Sequence, residues 1–224
     1  MKKWLGMLIL ISVFVFGMKP CAMAQDEIQM RVNMFKDVSS NGEVYGISFE
    51  LAGDKLKNAA RIFIDGPRGK RVWVNNAVDL NQILLSAVDL SIDQFNRWFP
   101  EGDYLISYSP PAIGKLKVRM THNFPSTPAI VNPTDGAVNV SVNPLITWGP
   151  LTNILSLRLT VKDRAGLEFS IELPPNATSY RLPVNLLKPN TQYELSLQGT
   201  TVADSGGNGF LTTTSLISFT TEAE

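Results

Sequence analysis

Apolar and polar residues alternate along most of this chain, and a period of two is typical of strands with one buried face. Six such runs lie within residues 26–123, at 28–35, 45–51, 61–64, 71–74, 104–109 and 115–121. Past residue 128 seven shorter runs recur between turn signals, at 129–132, 144–148, 155–161, 168–173, 180–182, 193–197 and 216–220. Residues 82–87 fit either an extended segment or a loop. The pattern predicts an all-β protein.

One short stretch follows a helical period instead. Ile92, Phe95 and Phe99 are spaced for one face of a helix. Ser91 and Gln94 stand at the two positions of a capping box, in which each side chain binds the backbone N–H of the other residue. Pro100 ends the pattern, because a proline disfavours helical backbone in the residue before it. The sequence predicts a helix of about two turns.

A proline-rich segment, residues 124–128, divides the chain. Its two prolines cannot donate to a sheet ladder and they stiffen the backbone, so we expect a linker here. The linker separates residues 26–123 from residues 129–224, and each part has enough strands for a sandwich. The predicted fold is therefore all-β, with two β-sandwich domains in tandem and the short helix in the N-terminal one.

Residues 1–24 read as a targeting segment. Lys2 and Lys3 precede an apolar run from Trp4 to Phe16, and Ala22-Met23-Ala24 fits the small-x-small cleavage pattern of a signal peptide. The run is shorter than the roughly 20 apolar residues that span a bilayer. We expect export to the periplasm, the cell surface or the medium, with no stable membrane insertion after the segment is removed.

Removal of that segment changes the charge and takes away the only cysteine, Cys21. Three of the 20 Lys and Arg residues leave with it and none of the 20 Asp and Glu residues, so the chain that starts near Gln25 has a net charge of −3. This balance lacks the basic excess of nucleic-acid-binding proteins, and we expect no nucleic-acid partner. Lipidation of Cys21 is an alternative to its removal.

Beyond the linker the chain resembles a fibronectin type III domain. The match rests on a core tryptophan of the second strand and on a Leu-x-Pro-x-Thr-x-Tyr corner: Trp148, Leu187, Pro189, Thr191 and Tyr193. Residues 218–221 fit the last strand of the family, and the resemblance covers residues 125–222. There are two departures, since the third strand carries leucines where an aromatic is common and no Arg-Gly-Asp occurs.

The resemblance implies a sandwich core built on Trp148, Leu187 and Tyr193, with the tyrosine hydroxyl hydrogen-bonded to backbone a few residues upstream. It implies no particular activity, because unrelated functions share this fold. Adhesion of the integrin type does not carry over without Arg-Gly-Asp. Residues 26–123 resemble no family that we can name.

Groups that could perform chemistry are sparse. His122 is the only histidine, which excludes multi-histidine metal sites and disfavours Ser-His or Cys-His catalysis. Carboxylates flank both ends of the short helix, where capping and turn roles explain them. We therefore expect no catalysis, no metal and no cofactor.

Aromatic side chains make the first candidate binding surface. The turn at residues 65–69 predicts a hairpin in which Val72 and Val74 share one face and Trp73 takes the other. Both faces cannot belong to one core. Exposed Trp73, together with Trp98 on the short helix, would suit a sugar ring or a protein partner. Packing of Trp73 under the helix or against the neighbouring domain is the alternative.

The second candidate surface is the glycine-rich loop of residues 203–209. Asp204 and Asn208 carry oxygens that could contact a ligand or an ion, and sandwich loops often carry binding sites. A solvated loop without a ligand is the alternative. The sequence predicts an exported, non-catalytic binding or structural module, with protein–protein interaction at the cell envelope or outside the cell as its task. The alternative is a carbohydrate-binding or enzyme-accessory protein that uses exposed aromatics, and neither partner is identified.

Overall fold

The computed structural model of the chain describes residues 28–75, 80–109, 115–203 and 206–223, apart from the side chains of Lys55 and Lys115. The expected signal peptide lies outside these residues. In the part described, no helix is long and apolar enough to cross a bilayer.

Seven strands and one α-helix are described in the first half of the chain, besides two short 3-10 helices at Asp54–Asn58 and Pro67–Gly69. The strands and the α-helix are β1 (Gln29–Ser39), β2 (Gly42–Ala52), β3 (Arg61–Asp65), β4 (Arg71–Asn75), β5 (Gln82–Leu90), α1 (Ile92–Trp98), β6 (Gly102–Ser109) and β7 (Lys115–Met120). The predicted helix and its capping box are confirmed, since the Ser91 Oγ accepts from the Gln94 N–H and the Gln94 Oε1 accepts from the Ser91 N–H. Residues 82–87, for which the sequence allowed either an extended segment or a loop, belong to β5.

Eight strands are described in the second half. They are β8 (Ile130–Asn132), β9 (Ala137–Val140), β10 (Leu145–Trp148), β11 (Ser156–Asp163), β12 (Glu168–Leu173), β13 (Ser179–Arg181), β14 (Gln192–Val202) and β15 (Gly209–Thr221). The sequence pattern missed β9, and it made β14 and β15 much shorter than they are.

The strands form three sheets. The first has the order β12-β11-β14-β15-β1-β2-β5, with β9 parallel to β15; the second is β13-β10-β8, and the third is β4-β3-β6-β7. Most neighbouring pairs with a resolved register are antiparallel, such as β11 with β14, where Leu159 lies opposite Leu197. The all-β prediction is confirmed.

The chain divides into two compact units, each made of three segments. In its described part, unit 1 holds residues 28–34, 45–122 and 203–210, and unit 2 holds residues 35–44, 123–202 and 211–223. Three strands, β1, β2 and β15, therefore have residues in both units. One division falls next to the proline-rich segment, between His122 and Asn123. The domain boundaries drawn at residues 123 and 129 stay a prediction.

Unit 2 is a sandwich with a continuous apolar core. Every second residue of β11 and β14 points inward, as the alternating sequence requires. The buried core consists of Ile146, Trp148, Leu157, Leu159, Val161, Leu182, Leu187, Tyr193, Leu195, Leu197 and Phe219. The strand residues of this core come from β10 on one side and from β11, β14 and β15 on the other, whereas Leu182 and Leu187 lie in connections. Partly buried residues of β8, β12 and β13 pack against it, so the sheet β13-β10-β8 covers the strands β12-β11-β14-β15. Unit 2 thus has a fibronectin type III-like fold.

Unit 1 repeats this arrangement with its own strands. Its three-strand group is β1-β2-β5 and its four-strand group is β4-β3-β6-β7. If β9 is set aside and the strands of each unit are numbered along the chain, both units have the first, second and fifth strands in one group and the other four in the second group. The Phe49 and Tyr104 rings, one from each group, lie 5.9 Å apart. Helix α1 adds Phe95, which is fully buried and 5.6 Å from the Tyr45 ring. The predicted second sandwich with a short helix is confirmed.

Candidate functional site

The candidate site begins with the β3–β4 hairpin of unit 1. Its turn closes through a hydrogen bond from the Gly66 N–H to the Lys70 carbonyl, at 2.7 Å, and Arg68 takes a left-handed φ of 58° within it. The two strands then pair without a register shift over five residue pairs, from Arg61 opposite Asn75 to Asp65 opposite Arg71. This register determines which side chains share a face.

Trp73 lies on the outer face of the sheet, opposite Phe63. Their neighbours in each strand point the other way, because successive side chains of a strand alternate. Ile62 and Ile64 are buried on the inner face, and their partners in β4 are Val74 and Val72. The valines are therefore on the core side, and Trp73 remains 57% exposed. The structure does not pack Trp73 beneath the helix.

The outer face continues across β6 and β7. Phe63 lies opposite Ser107, and Asp65 lies opposite Leu105, which in turn faces Lys117. Both Phe63 and Leu105 are half-buried. We call this surface the Trp73 face, made up of the outward residues Arg61, Phe63, Asp65, Arg71, Trp73, Asn75, Asp103, Leu105, Ser107, Ser109, Lys117 and Arg119.

Ion pairs order the polar part of the Trp73 face. The Arg71 guanidinium binds Asp65 through two hydrogen bonds, one from Nε to Oδ1 and one from Nη2 to Oδ2 at 3.1 Å. The hydrogen bond from Arg71 lowers the pKa of Asp65, and the same bond raises the pKa of Arg71. The guanidinium carbon also lies 5.5 Å from the Phe63 ring centre, within cation–π range.

A second pair lies on the next two strands. The Lys117 Nζ is 2.9 Å from the Asp103 Oδ2, and its hydrogen bond lowers the pKa of that carboxyl group. Arg119 adds a weaker charge effect in the same direction. Both carboxylates of the face are therefore ionised at neutral pH and partly neutralised by their neighbours.

Trp98 belongs to a different element. It is the last residue of α1, and it is 39% exposed. The helix is anchored by Phe95, which is buried and whose ring lies 4.9 Å from the His122 ring. The structure thus places Trp73 on a strand and Trp98 on the helix, and no contact between the two rings is found among the described side chains.

The glycine-rich loop is only partly described. Asp204 lies outside the described residues, so its proposed role stays a prediction. Asn208 is exposed, and its carbonyl accepts a 2.8 Å hydrogen bond from the Val32 N–H of β1. Gly209 follows, and a Cβ added at this position would clash with Val118 and Met120 of β7. This end of the loop is held by unit 1, and ligand binding by Asn208 stays a prediction.

The corner of unit 2 has the geometry that the resemblance implies. The Tyr193 hydroxyl accepts a 2.8 Å hydrogen bond from the Lys188 N–H, five residues upstream. Its ring is 1% exposed and lies 5.7 Å from that of Phe219. Trp148 and Leu187 are buried nearby, and the Trp148 indole donates to the Ala177 carbonyl at 2.8 Å. These residues stabilise the fold and leave no reacting group exposed.

His122, the only histidine, has structural partners. Its Nε2 lies 2.9 Å from the Phe99 carbonyl oxygen, and its backbone N–H donates to the Glu101 Oε1 at 2.6 Å. Among the residues that the structure describes, no cluster of three or more His, Cys, Asp or Glu side chains could hold a metal. These contacts give His122 a structural role at the end of α1.

Sequence reasoning did not find Phe63 and Arg61 as parts of this surface. The signal was available, because a hairpin centred on Arg68 puts residues whose numbers sum to 136 opposite each other. That rule pairs Phe63 with Trp73 and places Arg61 beside Asn75. The positions on β6 and β7 could not be found in this way, because they depend on which strands become neighbours.

No family model matches the chain, and no curated protein matches it. Solved structures are similar to it, among them two from chicken. A segment of two fibronectin type III domains from chicken tenascin is 16% identical over 80% of this chain and 92% of that chain, with a TM-score of 0.30. The FN1–FN3 domains of chicken CNTN1 are 13% identical over 80% of this chain and 62% of that chain, with a TM-score of 0.29.

Proposed function

We propose that this chain is an exported, non-catalytic binding protein that holds its partner on the Trp73 face. One observation carries the proposal: Trp73 is 57% exposed in a regular strand, beside a second aromatic ring. Water contact of so large an apolar side chain is unfavourable, and such surfaces in soluble proteins mark binding sites. Trp73 is the most exposed aromatic among the described residues.

The surface position of the charged groups on the Trp73 face supports binding over catalysis. Its charged groups are paired across neighbouring strands, as in Arg71 with Asp65 and Lys117 with Asp103. Catalytic acids and bases are usually held in a cleft where burial shifts their pKa. Here the carboxyl groups lie at the surface and are stabilised in their charged form.

Export is the second part of the proposal. It rests on the basic start, the apolar run and the Ala22-Met23-Ala24 site of the sequence. A partner at the cell envelope or outside the cell then has access to the face, and this partner is a protein or a glycan. An enzyme-accessory role would be one use of a glycan-binding face.

The experiment compares retention of purified variants on cells and secreted material of the source organism. We expect Trp73→Ala to reduce retention about tenfold or more, because aromatic anchors dominate binding at such surfaces. Val138→Ala is the matched control, since Val138 of β9 is 68% exposed in unit 2. Trp98→Ala tests the other exposed indole.

Equal retention of the Trp73→Ala variant and the parent protein contradicts the proposed face. Loss of retention in the Trp98→Ala variant alone moves the site to α1. The same preparation tests export, because the protein recovered outside the cytoplasm should begin near Gln25 by N-terminal sequencing. A chain that keeps residues 1–24 and stays inside the cell contradicts that part.

A further inference from the structure

The Trp73 face carries more positive than negative charge. Its described side chains include four cations and two anions: Arg61, Arg71, Lys117 and Arg119 against Asp65 and Asp103. The net charge of these described side chains is +2, whereas the full chain has a net charge of zero. Positive charge is concentrated where the exposed aromatic lies.

The corresponding face of unit 2 shows that the fold does not require this. There the outward side chains of β11, β12 and β14 include Arg158 and Lys162 against Glu168, Glu172 and Glu194, a net charge of −1. These strands are described throughout, and none of them presents an aromatic ring on that face. Two sheets with the same strand order thus have opposite surface chemistry.

We propose that the Trp73 face binds an acidic polysaccharide, whose sugar rings stack on Trp73 and whose carboxylate or sulfate groups meet the flanking cations. The inference rests on the function proposed above and names the class of its ligand. Arg61 and Arg71 lie two residues before Phe63 and Trp73 along their strands, on the same face. Guanidinium groups favour carboxylate and sulfate oxygens because they donate two parallel hydrogen bonds.

The shape of the apolar part favours a polysaccharide over a protein. Trp73, Phe63 and Leu105 form a strip with one apolar side chain from each of three strands. The core of a stable protein interface is depleted of charge, whereas charged residues lie next to this strip on all three strands. A polymer with apolar ring faces and polar edges matches it.

The test measures binding of the whole mature protein to four polymers by isothermal titration calorimetry. Polygalacturonate supplies rings with carboxylates, dextran sulfate supplies rings with sulfates, and unmodified dextran supplies rings without charge. Poly-L-glutamate supplies charge without rings. We expect binding to one or both acidic polysaccharides and to neither of the other two polymers. Salt should weaken it, because exposed charges are screened within about 10 Å at 0.1 M.

Three variants locate the site. Trp73→Ala should weaken binding about tenfold or more while leaving the charge of the protein unchanged, and Trp73→Phe should recover part of that loss. Arg61→Gln should weaken binding several-fold and reduce its dependence on salt. Arg158→Gln, the matched control on the unit 2 face, should leave binding unchanged. Thermal melts of each variant exclude loss of the fold as the cause.

Each contrary result overturns the inference in a recognisable way. Equal binding of poly-L-glutamate indicates an acidic polypeptide ligand, and equal binding of dextran indicates a neutral one. Acidic polysaccharide binding that survives Trp73→Ala lies elsewhere on the protein. If the protein is retained on source material but binds neither acidic polysaccharide, only the ligand class is wrong. If the Trp73→Ala variant is retained as well as the parent protein, the proposed function is wrong too.

Discussion

At the scale of single residues, each unit has a buried tyrosine near the start of a strand whose hydroxyl forms a hydrogen bond with the backbone just upstream. The Tyr193 hydroxyl accepts from the Lys188 N–H, and the Tyr104 hydroxyl of β6 donates to the Pro100 carbonyl, four residues upstream, at 2.8 Å. A proline stands four residues before the tyrosine in both corners. The second corner was not expected from the sequence, because only Pro100 and Tyr104 match the longer pattern.

Tyr104 allows a prediction of how stability depends on pH. It is 3% exposed, and burial raises its pKa. An unfolded phenol loses its proton near pH 10, as for free tyrosine, whereas the folded one keeps it to higher pH. Above that value the folded state binds more protons, so the free energy of unfolding falls as the pH rises, by up to about 1.4 kcal/mol per pH unit.

We expect Tyr104→Phe to cost about 1 kcal/mol at pH 7, because the hydrogen bond to Pro100 is lost. The difference from the parent protein should shrink above about pH 10, since the variant has no phenol to deprotonate. Urea unfolding between pH 7 and pH 11 measures both effects. Tyr180→Phe, on the half-buried ring of β13, is the control. A difference that stays constant over this range contradicts the account.

At the scale of elements, α1 depends on its cap. With seven residues it is too short to be stable alone, so one buried side chain, Phe95, and the capping box hold it. We expect Ser91→Ala to destabilise the protein by about 1 kcal/mol, because the Gln94 N–H loses its acceptor. Asn96→Ala, at an exposed position of the same helix, should change stability by less than about 0.5 kcal/mol. Urea unfolding curves give both values, and equal costs for the two variants contradict a role for the cap.

The elements also show how far the sequence predicts this fold. Helix α1 and the β3–β4 hairpin were predictable, because caps, turns and alternation are local signals. The first half of β15 was not. Thr212, Thr213 and Thr214 are polar and yet buried, which hides the alternation. Their burial is possible because the hydroxyls find partners, as in the 3.0 Å hydrogen bond from the Thr213 Oγ1 to the Pro125 carbonyl.

The candidate site was predictable to the same extent. Alternation showed that Trp73 and the two valines of β4 lie on opposite faces, but both faces are apolar, so the sequence did not decide which one is buried. The register with β3 gives the answer, because Val72 and Val74 lie opposite Ile64 and Ile62, which are buried. The charges on β6 and β7 join the Trp73 face only through pairing with distant strands, which no local pattern encodes.

At the scale of the whole molecule, segments far apart in sequence complete each unit. Residues 203–210 lie about 80 positions past the proline-rich segment and belong to unit 1. Residues 35–44 precede that segment and belong to unit 2, where the Ser40 side chain hydrogen-bonds to Asp135. A cut at the prolines would therefore separate each unit from one of its own segments.

Gly209 tests this assignment most directly. A Cβ at this position would lie 2.8 Å from the Met120 Sδ and 2.9 Å from the Val118 Cγ1. Both distances are below van der Waals contact, so Gly209→Ala should destabilise unit 1 by about 1–3 kcal/mol through overpacking. Gly149→Ala is the matched control, because its Cβ would meet only Ala129, at 3.9 Å. We expect that variant to unfold close to the parent protein.

Hydrogen exchange then shows where the damage occurs. In Gly209→Ala we expect faster exchange in β7, and at the Val32 N–H, which donates to the Asn208 carbonyl beside the mutated residue. Strands β10 and β13 of unit 2 should keep their protection, since neither contacts Gly209. If exchange instead rises only in unit 2, residues 203–210 belong with the fibronectin type III-like sandwich, and the proline-rich segment alone sets the domain boundary. If exchange rises only in unit 1, residues 203–210, which lead from β14 into β15, belong to the sandwich of unit 1.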